Sequence, residues 1–176
     1  MRQLAAIFLA PVLCSAQAAE PAPQPPLRTE FVFEARVKVD KPLVIGQSAY
    51  GLRRVVPIIG GSFAGPAIKG SVLAGGADWQ FVRPDGVLEV QARYTLKTDD
   101  GALITVENRG LRHASPAVME RIGKGELVPP SEYYFRTTAQ FEAPAGSKYE
   151  WLNRAVFIGV AERQPDAAVL RFYQVQ

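Results

Sequence analysis

From Phe31 onward the apolar residues recur at every second position rather than every third or fourth, the period of a half-buried β-strand and not of an amphipathic helix. Phe31, Phe33, Ala35, Val37 and Val39 alternate with Val32, Glu34, Arg36 and Lys38, and Leu88, Val90, Ala92, Tyr94 and Leu96 alternate with Glu89, Gln91, Arg93, Thr95 and Lys97. Further strands are predicted over Arg53 to Ile59, Ile68 to Leu73, Trp79 to Arg83, Ala102 to Gly110, Glu132 to Glu142, Trp151 to Glu162 and Ala168 to Val175. Arg83-Pro84-Asp85-Gly86 and Asp99-Asp100-Gly101 mark tight turns, because glycine reaches positive φ at little cost and aspartate tolerates it, so the strands they join are antiparallel. One segment predicts helix: Ser115 as N-cap, Pro116 at the first helical position, then Val118, Met119 and Ile122 on one face before Gly123. Roughly nine strands with a single short helix have no helical layer to cover them, so the expected fold class is all-β, an antiparallel barrel that hides one face and removes its own edges. A two-sheet sandwich is the alternative.

The chain ahead of Phe31 reads as an address and a leader. Arg2, an apolar stretch from Leu4 to Cys14 and small residues around Ala16 to Ala19 predict a signal peptide over 1–19, cleaved near Ala19. The stretch is too short for a membrane span and Pro11 interrupts it. Leu13 is bulky where lipoprotein processing at Cys14 wants a small residue. Residues 20–30, EPAPQPPLRTE, form a proline-rich leader that favours extended polyproline conformation. The expected location is the periplasm or the outside of the cell, with the globular domain over 31–176.

Cleavage would remove Cys14, the only cysteine, and with it any disulfide or thiol nucleophile. Removing Arg2 from the 20 basic residues leaves 19 against 17 acidic ones, a charge of about +2. No basic run would track a phosphate backbone, so nucleic acid is not an expected partner. The single histidine, His113, stands at a strand exit without a G-x-S-x-G elbow elsewhere, which argues against Ser-His-Asp catalysis. One histidine without a mature cysteine cannot build a His/Cys zinc site, and no metal or cofactor is expected. Gly65 and Gly70 have phosphate-loop spacing but lack the lysine, and the segment after them reads as strand.

Gly60-Gly61-Ser62-Phe63-Ala64-Gly65-Pro66, Gly75-Gly76-Ala77-Asp78-Trp79, Asp99-Asp100-Gly101, Glu132-Tyr133-Tyr134-Phe135-Arg136-Thr137 and Trp151-Leu152-Asn153 occur in an order that resembles the bacterial family called domain of unknown function 3237, also known as uncharacterised protein family 0311. The resemblance covers about Phe31 to Gln176 and implies a lipocalin-like β-barrel with no established activity. Two features depart from it: Ala64 stands where an acidic residue is expected, and the resemblance implies mostly cytoplasmic chains without an exported leader.

Period two also aims particular polar and aromatic residues. Along Ala102, Ile104, Val106 and Asn108 the apolar face runs into an asparagine, which places Asn108 inward as a ligand contact or a structural hydrogen bond. Tyr94 continues the inner face of its strand. Between 151 and 160 both faces are apolar, and the face of Trp151 and Asn153 is expected to line the lumen, since Arg154 would be costly there. Tyr133, Phe135, Thr137, Ala139 and Phe141 form one face of the 132–142 strand; Tyr134 and Arg136 lie on the other, and Arg136 is expected to point inward as an anion anchor. Asp78 beside Trp79 is a candidate acid/base.

These residues support an exported barrel that binds a small apolar or aromatic, acidic or phenolic molecule, with ligand contacts from Trp79, Tyr94, Asn108, Tyr134, Arg136, Trp151 and Asn153. The alternative is a cofactor-free isomerase, cyclase or lyase in which Asp78 moves a proton while Tyr134 and Arg136 stabilise an oxyanion. A third reading is an interaction module of the cell envelope. The two-sided apolar stretch from Leu152 to Val160 would fit a homodimer.

Overall fold

The computed structural model describes residues 25–176; the expected signal peptide and the start of the proline-rich leader lie outside the described residues. The period-two segments form β1 (Thr29–Val39), β2 (Leu43–Ser48), β3 (Gly51–Ala64), β4 (Lys69–Val72), β5 (Gly76–Val82), β6 (Leu88–Thr98), β7 (Leu103–His113), β8 (Tyr134–Glu142), β9 (Phe157–Gln164) and β10 (Ala167–Val175), with one helix, α1 (Pro116–Gly123), between β7 and β8. Every pairing is antiparallel. From β6 to β10 the strands follow sequence order, β10 then pairs with β1, and β1 pairs with β3. The short strands β4 and β5 lie end to end between β3 and β6, β4 against Gly61–Ala64 and β5 against Leu52–Ile58. The result is a closed eight-strand barrel, and the sandwich alternative falls away because the β1–β3 ladder joins the two ends of the sheet.

That closing ladder depends on a glycine. Gly61 lies opposite Val37 at φ 143°, and a Cβ there would fall on the carbonyl of Arg36. Only a residue without a side chain lets β1 approach at this corner.

The interior is divided along the barrel axis. One end is an aromatic plug: Phe33 meets Phe172 at 5.0 Å and Phe63 at 5.5 Å between ring centroids, and Phe141 meets Phe157 at 4.9 Å and Phe172 at 5.4 Å. Phe33, Phe157, Phe172, Leu96 and Ile104 are fully buried. Each aromatic pair adds about 0.5–1.5 kcal/mol beyond its area burial, so this half supplies much of the stability. At the other end Arg54, Gln80 and Arg112 replace the apolar side chains, and α1, capped by Ser115, lays Ile122 and Gly123 beside the opening.

The structure departs from the expected elements in several places, among them β3, which runs past Ile59 to Ala64, and Glu132, which ends a 3-10 turn ahead of β8. An additional strand, β2, pairs with β3 on one side and exposes Leu43, Val44 and Ile45; a short run of apolar residues without alternation gives no strand signal. Residues Glu150–Arg154 form a 3-10 turn, and β9 begins only at Phe157. β1 begins at Thr29, inside the stretch read as leader.

Gly61→Ala is expected to destabilise the barrel by more than ~1 kcal/mol, since the new Cβ meets backbone that cannot rotate away. Thermal unfolding followed by far-ultraviolet circular dichroism should then show a melting temperature lower by roughly 3 °C or more.

Candidate functional site

The strands bring their inward-facing polar residues together in the half of the lumen away from the phenylalanine plug. Register places Asp78 of β5 opposite Val56 of β3 and Ala92 of β6, with Asn108 of β7 across from Ala92. One turn of the ladder closer to α1, Arg54 pairs with Gln80, and Leu88 pairs with Arg112. Asp78 lines two adjoining spaces. The one under α1 is about 130 Å³, bounded by Arg54, Gln80, Arg112, Ile122, Phe135 and Arg163. The deeper one is about 40 Å³, bounded by Tyr94, Asn108, Phe135 and Leu170. An apolar cavity of about 150 Å³ takes a benzene, so the space suits a single ring or a few waters.

Asp78 sits at a break in the wall. The β5–β6 ladder runs through Ala77 and Asp78, lapses at Trp79 and Gln80, and resumes at Phe81. There the Asp78 carboxylate substitutes for the missing backbone acceptors, taking the Gln91 amide at 2.8 Å and the Gln80 side-chain amide at 2.6 Å. Gln80 in turn accepts from Nε of Arg54 at 2.7 Å. Burial pushes the Asp78 carboxyl above its usual range, and the two amides and the charges of Arg112 and Arg54 only partly oppose this. The carboxyl is thus poised to hold or release a proton nearer neutral pH than an exposed aspartate.

Several polar groups around it have no partner. The Tyr94 hydroxyl, Oδ1 of Asn108, Nε of Arg112 and Oγ1 of Thr137 are buried without a hydrogen bond. Burial, then the Asp78 charge, raises the Tyr94 pKa, which keeps this hydroxyl a proton donor. Arg112 is 5% exposed and stacks over the Phe135 ring at 5.5 Å. Burial and the like charges of Arg54 and Arg163 lower its pKa to about 10, and it stays a cation at neutral pH.

Of the residues singled out from sequence, Asp78, Tyr94 and Asn108 line this lumen and the others do not. The inner face of β8 is Phe135, Thr137, Ala139 and Phe141, which leaves Tyr134 and Arg136 outside. Arg136 donates to the carbonyl of Phe135 and lies over the Tyr134 ring, so the expected inward anion anchor is corrected to an outer-face residue, as a guanidinium that can reach solvent avoids desolvation. Trp79 is 46% exposed on the same outer side, in a groove of about 500 Å³ with Tyr134, Arg136, Arg53 and Arg109. Trp151 packs on Phe157 from the 3-10 turn, and Asn153 clamps both the amide and the carbonyl of Ala143; neither is a lumen contact. Asp78, Tyr134 and Arg136 therefore lie on opposite sides of the barrel wall.

A carboxylate, a tyrosine and an arginine do converge in the lumen, as Asp78, Tyr94 and Arg112. Sequence reasoning passed over Arg112, yet its signal was present: the inward run Ile104, Val106, Asn108 continues through Gly110 to Arg112 in steps of two. Arg54, Gln80 and Arg163 share faces with Val56, Asp78 and Ala161 by the same rule.

Comparison with known proteins places this geometry among relatives. The family described as protein of unknown function (DUF3237) matches residues 27–175. An uncharacterised UPF0311 protein of Clostridium acetobutylicum is 44% identical over 147 residues, which is 83% of this chain and 92% of the relative. The crystal structure of a conserved protein of unknown function from Rhodopseudomonas palustris superposes with a TM-score of 0.84 at 38% identity, covering 87% of this chain and all of that one. More distant is the hydroalkoxylation enzyme PhnH of Penicillium herquei, 25% identical over 154 residues, 88% of this chain and 87% of the relative. Among the described residues no helix is long and apolar enough to cross a membrane.

The raised Asp78 pKa makes stability depend on pH with a defined sign. The folded protein holds this proton more tightly than the unfolded chain, so the linked stabilisation is complete below the unfolded carboxyl value of about 3.9 and is lost as pH rises through the folded value. Asp78→Asn cannot ionise. The melting temperature of wild type minus that of Asp78→Asn is therefore expected to fall as pH rises above about 4; a difference that grows with pH would mean the arginines hold Asp78 ionised.

Proposed function

The chain belongs to the DUF3237 family of proteins of unknown function, and from that premise and the geometry of the lumen we propose that it is a cofactor-independent acid–base enzyme acting on a small organic molecule held inside the barrel. The observation that carries this reading is the set of unpartnered buried groups, Tyr94 Oη, Asn108 Oδ1 and Arg112 Nε, around a cavity bounded by Asp78. Buried polar atoms in folded proteins nearly always have partners, and a ligand in this cavity would supply them. Such a site needs one group to move a proton and others to stabilise the charge that develops. Asp78 fits the first role and the Tyr94 hydroxyl the second, within the positive field of Arg112, and Asn108 Oδ1 can accept from a substrate hydroxyl.

The distant relative acts in hydroalkoxylation, the addition of an O–H group across a carbon–carbon double bond. Within one molecule such a reaction is an isomerisation: a C–O bond forms as the π bond breaks, the oxygen loses a proton, the other alkene carbon gains one, and no oxidant or reductant is needed. It calls for the acid/base pairing that Asp78 and Tyr94 would provide. We propose further that residues 1–19 direct export, with cleavage near Ala19, so that the reaction takes place in the periplasm or beyond.

A second reading has its own support. Both Asp78 oxygens already accept hydrogen bonds, from Gln80 and Gln91, an arrangement that would also suit a barrel that binds its molecule without transforming it. Incubation with alkenylphenols in D2O separates the two. The enzymatic reading predicts a cyclised product with one deuterium on carbon, formed at least ~100-fold more slowly by Asp78→Asn. Equal turnover by the two proteins would overturn the role given to Asp78, and saturable binding with no turnover across the panel would leave the binding reading standing alone.

A further inference from the structure

The end of the lumen beneath α1 holds more positive charge than its surroundings balance. Arg54 on β3, Arg112 on β7 and Arg163 on β9 bound one cavity, and each of Arg54 and Arg163 acts repulsively on Arg112. The one carboxylate that bounds it with them is Asp78; Gln80 and Phe135 beside it are neutral. Asp166 acts on Arg163 from the β9–β10 turn. Arg54 spends its Nε on Gln80, and Arg163 donates to the carbonyls of Pro165 and Ala167. Among the described residues, none of the three guanidiniums forms a salt bridge. Arg112, the most buried of them, has the face of Phe135 against it, feels the charge of Asp78 and the Tyr133 side chain without a hydrogen bond to either, and keeps an Nε without an acceptor.

A buried guanidinium without a partner is strongly destabilising, and a fork of planar donors is satisfied best by two oxygens in one plane. The rest of the cavity lining is apolar, with Val39, Val56, Ile122 and Ala168 facing the arginines. A ligand complementary to both halves has a single planar anionic group on a compact apolar body. We infer that Arg112, with Arg54 and Arg163, recognises the carboxylate of a small organic acid, about the size of a benzoate, seated under α1 with its body toward Asp78. Inorganic phosphate has the charge but would leave oxygens against Val56 and Ile122. The inference rests on the reading of the lumen as a ligand site and adds the class of ligand. It places the acid group at the α1 end and leaves the reacting part of the molecule between Asp78 and the deeper Tyr94 and Asn108.

The test is a titration of the full chain with benzoate, benzamide, 2-allylphenol and inorganic phosphate, followed through the arginine Nε–Hε signals by nuclear magnetic resonance. The expected result is a saturable shift of the Arg112 signal with benzoate, binding about tenfold tighter than benzamide and weaker by about tenfold or more in Arg112→Gln. Benzamide or phosphate binding as tightly as benzoate overturns the carboxylate assignment. So does binding of 2-allylphenol alone, which would leave the lumen reading intact, while binding of none of the four overturns both. Arg112→Met keeps the inference falsifiable should the glutamine variant fold poorly. Replacing an unpaired buried charge with a side chain of similar length is expected to raise the melting temperature, and a lower one would show that Arg112 already has its partner within the protein.

Discussion

Everything in this molecule follows from the pairing of β1 with β3. It converts a ten-strand meander into a closed barrel, and it forms only because Gly61 lets the two backbones meet where any side chain would strike the Arg36 carbonyl. Eight strands enclose an interior just wide enough either to be filled by side chains or to hold one small ligand. This barrel is filled at one end and leaves space at the other. The interlocked phenylalanines fill one half and fix the diameter. The other half is lined by polar side chains around the two spaces that Asp78 bounds.

The division has an energetic logic. A hydrophobic plug worth several aromatic contacts can offset the burial of groups that contribute nothing to folding, and Arg112, Tyr94 and Asn108 are such groups. Stability at one end and unsatisfied chemistry at the other is the arrangement expected where a site is held ready before its ligand arrives. Asp78 links the two, since its carboxylate is also the acceptor that repairs the lapse in the β5–β6 ladder. Its position is therefore rigid, while its charge answers to its burial and to the arginines beside it.

How much of this was legible in the sequence depended on periodicity. Clean alternation in β1, β6 and β7 gave the fold class and put Tyr94 and Asn108 inside, and the Ser115-Pro116 signal gave α1 within a residue. Where alternation fails, orientation was lost. Tyr133 to Phe141 carries aromatic and polar residues on both faces, so the pattern does not say which face is inner, and the expectation that Arg136 points inward fails on that parity. At Trp79 a large aromatic was assumed to seek the core, whereas the parity of β5 is set by Asp78 and Gln80, polar residues that a hydrophobic pattern assigns to solvent. The same bias hid Arg54 and Arg112. A polar interior reverses the inside-outside rule that sequence reading depends on, and for that reason the candidate site was the least legible part of the chain.

A small organic acid could enter the barrel or settle on the outer groove of Trp79, Tyr134 and Arg136. A crystal soaked with 4-bromobenzoate separates the two directly, since bromine can be located by anomalous scattering. The expected result is a single strong bromine peak inside the lumen, with the carboxylate on Arg112 and the ring against Phe135. A bromine peak in the outer groove, with the lumen unchanged, would contradict it.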